Sequence, residues 1–481
     1  MYKGAGGGSV GSPCRLFKKK NTNYEGMLTM KLGILKSEST NKAIISSMTL
    51  SLIAKMLVFI QSMVVSYAFG TQKSTDILWY VMSLIVLLTT LVSSINQQVL
   101  VPAVISIRNN ISEEDSKRFI TYIYMVYFAI GAIGAFLLFL SPANTLGMLS
   151  KFEICDIQAN IDIVRFVIPT FFLIILNSFM LDIFTSYRYF TLPMLLEMIK
   201  SILTIIFVVF LQDSFAVTSQ AIGIFCGNLV QFLILNILLI TVVKCRFSFK
   251  RYKIEGKVRK NIFYVVLGQV TTFIKGFLIM YLLSGFNAGV YTAMEYGQKI
   301  NAIVISVIIG QISTVVGINI IEQFTKGKLE ELNRTFQKYL KTSLFLIMPF
   351  CFMMALNAEP TISILFERGK FDRNAALLTA GFFQYFILIL PLKLMDTFIV
   401  RLIIAKQIQR ISFLWHIGEN LIMLPVVWVM INRLGYYGYP FGLLLSTGIY
   451  ILLLFLFMVR RQFEYIDSIS ILKFSAVNII L

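Results

Sequence analysis

The chain has 481 residues, of which 57% are hydrophobic and 14% are charged, and its mean hydropathy is +0.79. Soluble proteins contain about 25% charged residues, so this composition excludes a soluble globular protein and indicates an integral membrane protein. The net charge is +19. It does not indicate nucleic-acid binding, because the basic residues cluster in the short segments between apolar runs.

Several classes of enzyme chemistry are excluded by what the sequence lacks. It has one histidine, His416, and five scattered cysteines without the spacing of a zinc site. There is no GxxxxGK[ST] phosphate loop. His416 and Glu419 stand three residues apart on one helical face, and this spacing predicts a structural hydrogen bond between them. We therefore expect no metal site and no cofactor.

The predicted elements are helices throughout. Residues 1–42 are rich in Gly, Ser and Lys, lack a signal-peptide core and are expected to be a disordered cytoplasmic segment. About twelve apolar runs follow, most of them near the length of roughly 20 residues that crosses a bilayer. They lie at about 43–69, 77–107, 119–141, 161–186, 193–211, 219–243, 261–286, 289–318, 337–357, 376–402, 411–432 and 438–459. This pattern predicts an all-α, polytopic inner-membrane protein.

The distribution of Lys and Arg predicts the orientation. Connections on the cytoplasmic side of membrane proteins carry an excess of positive charge, and the segment 244–260, "KCRFSFKRYKIEGKVRK", is the most basic connection here. Placing it inside makes both termini cytoplasmic. The tail 461–481 has an apolar stretch too short to span and is predicted to be an interfacial helix or part of a thirteenth span.

An internal repeat divides the chain into two parts. "YAFGTQKSTDILWY" (67–80) resembles "YLLSGFNAGVYTAMEY" (281–296), and "LSPANTLGML" (140–149) resembles "LNAEPTISIL" (356–365). Repeats of six helices have the same orientation in the membrane. We therefore predict two six-helix lobes, 43–243 and 261–460, related as a parallel repeat around a central cavity and joined by the linker 244–260.

Ionisable residues inside the predicted spans mark a candidate site. A charge at mid-membrane costs roughly 2.5–3.5 kcal/mol, so such residues are rare unless they are paired or functional. The spans contain three pairs on shared helical faces and two lysines without an acid within one turn: Glu295 with Lys299, Glu197 with Lys200, Lys393 with Asp396, and Lys55 and Lys275. For each of the three pairs, a structural ion pair between packed helices is as good an explanation as a functional site. The unpaired lysines favour an anionic substrate or a water-filled cavity.

A motif after the ninth span resembles a known family. "ILFERGKFD" (364–372) is similar to the LFxRGxF element of the MviN/MurJ lipid II flippase family, with Phe366, Arg368, Gly369 and Phe371 at the defining positions. The segments "MTLSLIAKMLVFIQSMVVSYAFGTQKSTD" (48–76), "LVPAV" (100–104) and the seventh and eighth spans also resemble the family. In all, the resemblance covers about residues 45–460.

The resemblance implies the fold of the multidrug/oligosaccharidyl-lipid/polysaccharide exporters, with a cationic cavity between two lobes and alternating access. Lys299 matches a family arginine that faces the cavity, Asp76 matches the acid of the first outer loop, and Lys275 occupies a polar position. Two features depart from the lipid II flippases: Thr89 and Thr90 stand at basic positions, and twelve spans are predicted where that family resembles fourteen-helix proteins. The glycan therefore stays open between an O-antigen or capsule repeat unit and lipid II.

Our hypothesis is a flippase that moves an undecaprenyl-pyrophosphate-linked glycan across the bacterial inner membrane. Lys299, Lys275 and Lys55 are expected to attract the pyrophosphate, and Glu295 to position Lys299. The predicted partners are this lipid and membrane lipids, with no nucleic acid, and the protein is expected to be a monomer. Coupling to the membrane potential, H⁺ or Na⁺ stays open.

Three alternatives remain. A MATE-type, cation-coupled drug antiporter should line its cavity with acids and aromatic residues. A membrane glycosyltransferase or ligase generally needs a sizeable outer loop with catalytic groups, and the largest predicted outer loops have only about 18 residues. A silent scaffold is favoured if the pair Glu295 and Lys299 contacts another helix rather than a cavity.

Overall fold

A computed structural model describes residues 40–245, 252 and 256–480. Most of the N-terminal segment 1–42 and part of the basic linker 244–260 lie outside the described residues. All regular structure in the described ranges is helical. The prediction of an all-α membrane protein is therefore confirmed.

The helices of the first half of the chain run to residue 241. In chain order they are α1 (Thr40–Phe69), α2 (Lys73–Ile95), α3 (Val101–Asn110), α4 (Glu113–Leu140), α5 (Pro142–Leu149), α6 (Ile154–Ala159), α7 (Ile161–Ser186), α8 (Leu192–Phe215) and α9 (Thr218–Thr241). A π-helical turn, Asn96–Leu100, joins α2 to α3 without a break.

The second half begins after the basic linker. Its helices are α10 (Gly256–Leu283), α11 (Val290–Val304), α12 (Gly310–Thr325), α13 (Leu329–Leu356), α14 (Ala358–Phe366), α15 (Arg373–Leu388), α16 (Leu390–Lys406), α17 (Gln409–Leu434), α18 (Gly438–Leu453), α19 (Arg460–Gln462) and α20 (Ser468–Ile480). A π-helical turn, Ile305–Ile309, joins α11 to α12, and another, Leu454–Val459, joins α18 to α19.

Within the described ranges, nine helical segments are long and apolar enough to cross a membrane, and one of these, Ile411–Gln462, contains two predicted spans. The predicted spans 289–318 and 376–402 are helical but lie outside this set. The second is interrupted at Ile389, where Pro391 enters the first turn of α16 and cannot continue the preceding hydrogen-bond ladder. The count of twelve spans remains a prediction.

Many of the most extensive helix contacts lie within one half of the chain, whereas α10 also packs against α2 of the first half. In the first half, α8 packs against α1 and α9, and α7 against α4 and α9; in the second, α11 packs against α15, α12 against α16, and α17 against α18. One buried apolar cluster belongs to the first half and one mainly to the second, while a third joins both through residues such as Tyr80 and Tyr291. The arrangement as two six-helix lobes remains a prediction that this packing favours.

The second pair of repeat segments occupies equivalent places in the two halves. α5 follows the long helix α4 directly, and α14 follows the long helix α13 in the same way. Each is a short helix of eight or nine residues. A sequence similarity that was weak by itself thus corresponds to the same local structure in both halves, as a repeat predicts.

Candidate functional site

Asp76 connects the two halves at one end of the helices, called here the Asp76 end. Its buried carboxylate accepts hydrogen bonds from the backbone N–H of Gly289 (2.6 Å) and from the N–H and Oγ1 of Thr292 (2.8 and 2.6 Å). Gly289 is the N-cap residue of α11, with φ of 88°. A carboxylate at a helix N-terminus satisfies free N–H groups and interacts favourably with the helix dipole. Asp76, from the first half, therefore caps a helix of the second.

The motif loop contacts the first half at the same end. The N–H of Lys370 donates to the carbonyl of Tyr67 (2.9 Å). Gly369 and Gly70 both have positive φ, and a Cβ on either would lie 2.5 Å or less from a backbone oxygen across this contact. Glycine is required at both positions because any side chain would force the two segments apart.

The aromatic residues of the motif anchor this loop. Phe366 and Phe371 pack against Tyr296 of α11, with ring centroids 5.4 and 5.7 Å apart, and Phe366 also meets Phe59 of α1 at 5.8 Å. Arg368 donates to the carbonyl of Ile364 and is exposed, so it orders the loop locally. Phe366, Gly369 and Phe371 thus form part of the closure between the halves, and Arg368 orders the loop that carries them.

A third contact closes the other side of the Asp76 end. The backbone N–H of Lys151, in the loop after α5, donates to Ser284 Oγ at the end of α10 (2.9 Å), and the Lys151 ammonium lies 5.4 Å from the ring centroid of Tyr281. Within the first half, the Tyr80 hydroxyl donates to the carbonyl of Leu149, next to the loop that carries Lys151. With Asp76 and the motif loop, the contacts of Lys151 hold the two halves together at this end.

A polar cavity of about 590 Å³ lies beyond this closure. Its walls come mainly from α10, α11, α15, α16, α17 and α18, with Ser83 and Val86 of α2 on the remaining side. Four charged residues line it: Lys275, Lys393, Glu295 and Glu419. Two ammonium groups and two carboxylates, interspersed with apolar residues, make this a site that can recognise a charged group within the membrane.

Lys393 and Glu419 form an ion pair in the cavity wall. The Lys393 Nζ lies 3.7 Å from Glu419 Oε1, and the sequence-based prediction that Lys393 pairs with Asp396 is corrected by this contact. Asp396 instead lines a neighbouring cavity of about 110 Å³ together with His416 and Glu419. The pairing differs because α17 packs against α16 and brings Glu419 within reach.

Glu419 is a cavity residue that sequence reasoning missed as a site residue. Its spacing from His416 predicted only a structural hydrogen bond, and that bond is present, with Nδ1 and Oε2 3.1 Å apart. The other ring nitrogen of His416 lies 3.3 Å from Thr272 Oγ1 on α10. The available signal was a carboxylate within an apolar, membrane-spanning helix.

Glu295 and Lys299 do not form the predicted i,i+4 ion pair, although they share a face of α11. Glu295 accepts a hydrogen bond from Ser83 Oγ (2.9 Å), whereas the Lys299 Nζ lies 3.1 Å from the ring centroid of Trp79. Both partners belong to α2. Among the described residues, no carboxylate lies within 4.0 Å of Lys299, and the cavity wall includes Glu295 but not Lys299. The packing of α2 along this face supplies the alternative partners.

The remaining predicted cations are separated. Lys275 lines the cavity, whereas Lys55 forms an ion pair with Glu197 of α8 at 3.4 Å, and both of those side chains are about one-third exposed. This pair replaces the predicted contact between Glu197 and Lys200. The structure therefore brings only Lys275, of the three predicted substrate-binding lysines, into the polar cavity and adds Lys393 to it.

In the ranges that the structure describes, no group of three or more His, Cys, Asp or Glu residues is placed to hold a metal ion. The chemistry of the cavity is thus that of ammonium, carboxylate and hydroxyl groups. Such groups bind and release charged ligands reversibly.

Solved structures identify the fold of this chain. A structure described as "Lipid II flippase MurJ, inward closed conformation" superposes with a TM-score of 0.76 at 20% identity, covering 91% of each chain. An inward-facing MATE family transporter of the MOP superfamily superposes with a TM-score of 0.68 at 13% identity, covering 89% of this chain and 99% of the other. The chain therefore has the fold of MOP superfamily transporters and is a multi-pass membrane protein.

The family follows from the sequence comparisons. The profile of the lipid II flippase MurJ family matches residues 65–481, so the chain belongs to this family. Two relatives carry the name "Probable lipid II flippase MurJ". One, from Buchnera aphidicola subsp. Acyrthosiphon pisum, is 24% identical, and the match covers 70% of this chain and 68% of the relative. Another, from Borreliella burgdorferi, is 22% identical, and the match covers 90% of this chain and 86% of the relative. The protein is a transporter and not an enzyme, so the glycosyltransferase and silent-scaffold alternatives are both dropped.

Proposed function

We propose that this protein flips lipid II, the lipid-linked precursor of the cell wall, across the bacterial inner membrane by alternating access. The observation that carries the proposal is the family match over residues 65–481. Among the glycans that the sequence left open, the family match supports lipid II over O-antigen and capsule repeat units.

Lys275 and Lys393 are the residues that we propose to bind the pyrophosphate. Both line the polar cavity together with Glu295 and Glu419, and Lys393 forms an ion pair with Glu419. Because the contact between Lys393 and Glu419 is 3.7 Å long, an incoming diphosphate can replace the carboxylate as the partner of Lys393. A drug antiporter for cations predicts an excess of acids, which this balanced cavity does not have.

The direction of transport follows from the predicted orientation. The Asp76 end is then periplasmic, and its closure leaves the cavity to be loaded from the cytoplasmic side. Moving an anion outward is favoured by an inside-negative potential by about 2.3 kcal/mol per charge per 100 mV. The membrane potential is thus an adequate driving force, and coupling to H⁺ or Na⁺ stays open.

The proposal is tested by flipping of lipid II in proteoliposomes. Wild-type protein should move lipid II between leaflets, and Lys393→Ala and Lys275→Ala should each reduce the rate by about 10- to 100-fold, the loss expected for one hydrogen-bonded charge. The matched control is Lys326→Ala, because Lys326 is exposed and pairs with Glu322 on α12. Lipid II that stays in its original leaflet with active, correctly inserted wild-type protein would refute the proposal.

A further inference from the structure

A second cavity, of about 350 Å³, has almost entirely apolar walls. It lies among α2, α4, α5, α7 and α10, and Thr145 is the one polar residue among those that line it in the described ranges. Ordered water needs two to four polar partners, which this lining does not offer. The cavity therefore suits hydrocarbon. We call it the apolar pocket.

The helices that line the apolar pocket also present apolar surface to lipid, next to the lining residues. Leu138 lines the pocket, and the adjacent Phe136 and Leu137 of α4 are 63% and 58% exposed. On α10, Phe273 and Phe277 line the pocket, and Ile274 between them is 45% exposed. Large exposed apolar side chains on membrane-spanning helices contact bilayer lipid. The occupant of the pocket therefore enters from the bilayer.

The apolar pocket and the polar cavity lie on opposite faces of the same two helices. On α2, positions 81, 84, 85 and 88 line the pocket, whereas positions 83 and 86 line the polar cavity. On α10, positions 273 and 277 line the pocket, whereas 275, 276 and 279 line the cavity. These spacings are those of two faces of one helix. The lining residues of α2 lie roughly 12 to 22 Å along the helix from Lys73, at one depth for both cavities.

The seam between the two cavities is narrow and made of small or flexible groups. α2 and α10 pack against each other, and Leu87 contacts Gly276, where a Cβ would lie 2.7 Å from Leu87 Cδ1. A side chain at position 276 larger than glycine would fill the space that Leu87 occupies.

We propose that the apolar pocket binds the isoprenoid units next to the pyrophosphate of the lipid-linked substrate, while the head group occupies the polar cavity across the seam between α2 and α10. A single chain attached directly to the pyrophosphate can reach both cavities at one depth. A phospholipid does not fit this arrangement, because its head group stays at the membrane surface. The inference rests on the proposed function and adds a site for the lipid chain.

Photocrosslinking tests the pocket directly. p-Benzoyl-phenylalanine replaces Phe273 in the pocket or, as the control, Phe263 on the same helix, which is 63% exposed. The purified full-length protein is reconstituted in phosphatidylglycerol nanodiscs with polyprenyl pyrophosphate. Position 273 should crosslink to the prenyl chain and position 263 to phosphatidylglycerol, and excess polyprenyl pyrophosphate without a label should compete only at position 273.

A binding measurement separates the two proposals. Ile85→Asn places an unpartnered amide in the pocket and should weaken binding of polyprenyl pyrophosphate by about tenfold or more, whereas Ile133→Asn, on exposed surface of α4, should not. Binding of inorganic pyrophosphate should be the same in both variants.

Equal crosslinking to phosphatidylglycerol at positions 273 and 263 would contradict the proposed prenyl-binding pocket but not the proposed function. A wild-type protein that binds neither pyrophosphate probe contradicts the proposed function as well.

Discussion

The buried carboxylate of Asp76 holds the two halves of the protein in contact at the Asp76 end. Asp76 has its carboxylate buried against the first turn of α11, where three donors converge on it. Burying a carboxylate without such donors costs desolvation free energy. The hydrogen bonds that offset this cost exist only while the two halves are in contact. The hydrogen bonds of Asp76 therefore stabilise the closed state.

Asp76→Asn should loosen this closure. An amide cannot accept from all the donors, and a buried donor left unsatisfied costs about 1–3 kcal/mol. Hydrogen exchange at the backbone amides of Gly289 and Thr292 should become faster by roughly 5- to 150-fold. Asp162→Asn is the control, because that side chain is exposed and pairs with Arg165 on its own helix. Unchanged protection in Asp76→Asn would show that the cap does not hold the halves.

The partner of Lys299 can be identified by double-mutant cycles. A cation over a tryptophan ring contributes about 0.5–2 kcal/mol. The cycle of Lys299→Met with Trp79→Leu should therefore give a coupling of this size in thermal unfolding, and it should exceed the coupling of Lys299→Met with Glu295→Gln. A larger coupling of Lys299 with Glu295 than with Trp79 would support the i,i+4 ion pair that the sequence suggests.

At the scale of elements, the contact between the end of α1 and the motif loop depends on two glycines. Gly70 and Gly369 have φ near 60°, and each faces the backbone of the other segment. The sequence motif predicted that this loop matters, but not what it touches. Its partner lies about three hundred residues away and is brought near only by the packing of the halves.

Gly369→Ala and Gly70→Ala should each destabilise the protein by about 1–3 kcal/mol, because they add strain from positive φ to a clash with backbone. Gly418→Ala is the control: Gly418 lies within α17 and has open space around its Cα. That change should be neutral or stabilise by up to about 1 kcal/mol. Thermal unfolding in one detergent measures all three, and equal melting temperatures would contradict the role of the two glycines.

For the whole molecule, alternating access requires that the closure at the Asp76 end opens once in each cycle. Closure involves α1, α2, α5, α10, α11 and the motif loop, so opening separates the two halves along several contacts at once. Such movement fits the rocking of one half against the other described for transporters with repeats.

A disulfide across this closure should stop transport. Tyr67 and Lys370 are joined by a backbone hydrogen bond across the closure, so we expect cysteines at these two positions to form a disulfide. In a background with the exposed Cys155 replaced by Ser, Tyr67→Cys with Lys370→Cys should lose flipping under oxidising conditions and regain it with reductant. Each single cysteine variant is the control. Full activity of the oxidised double variant would show that this end does not open.

The amino-acid sequence by itself determined the all-α membrane fold, the family and the helical faces that carry charge. These depend on local composition, because insertion into a bilayer is decided segment by segment and helical periodicity places residues on a face. Only the tertiary structure decided which groups those faces meet: Glu419 rather than Asp396 for Lys393, and Trp79 rather than Glu295 for Lys299. Neighbours along a helix are set by spacing, whereas neighbours across helices depend on packing between residues far apart in the chain.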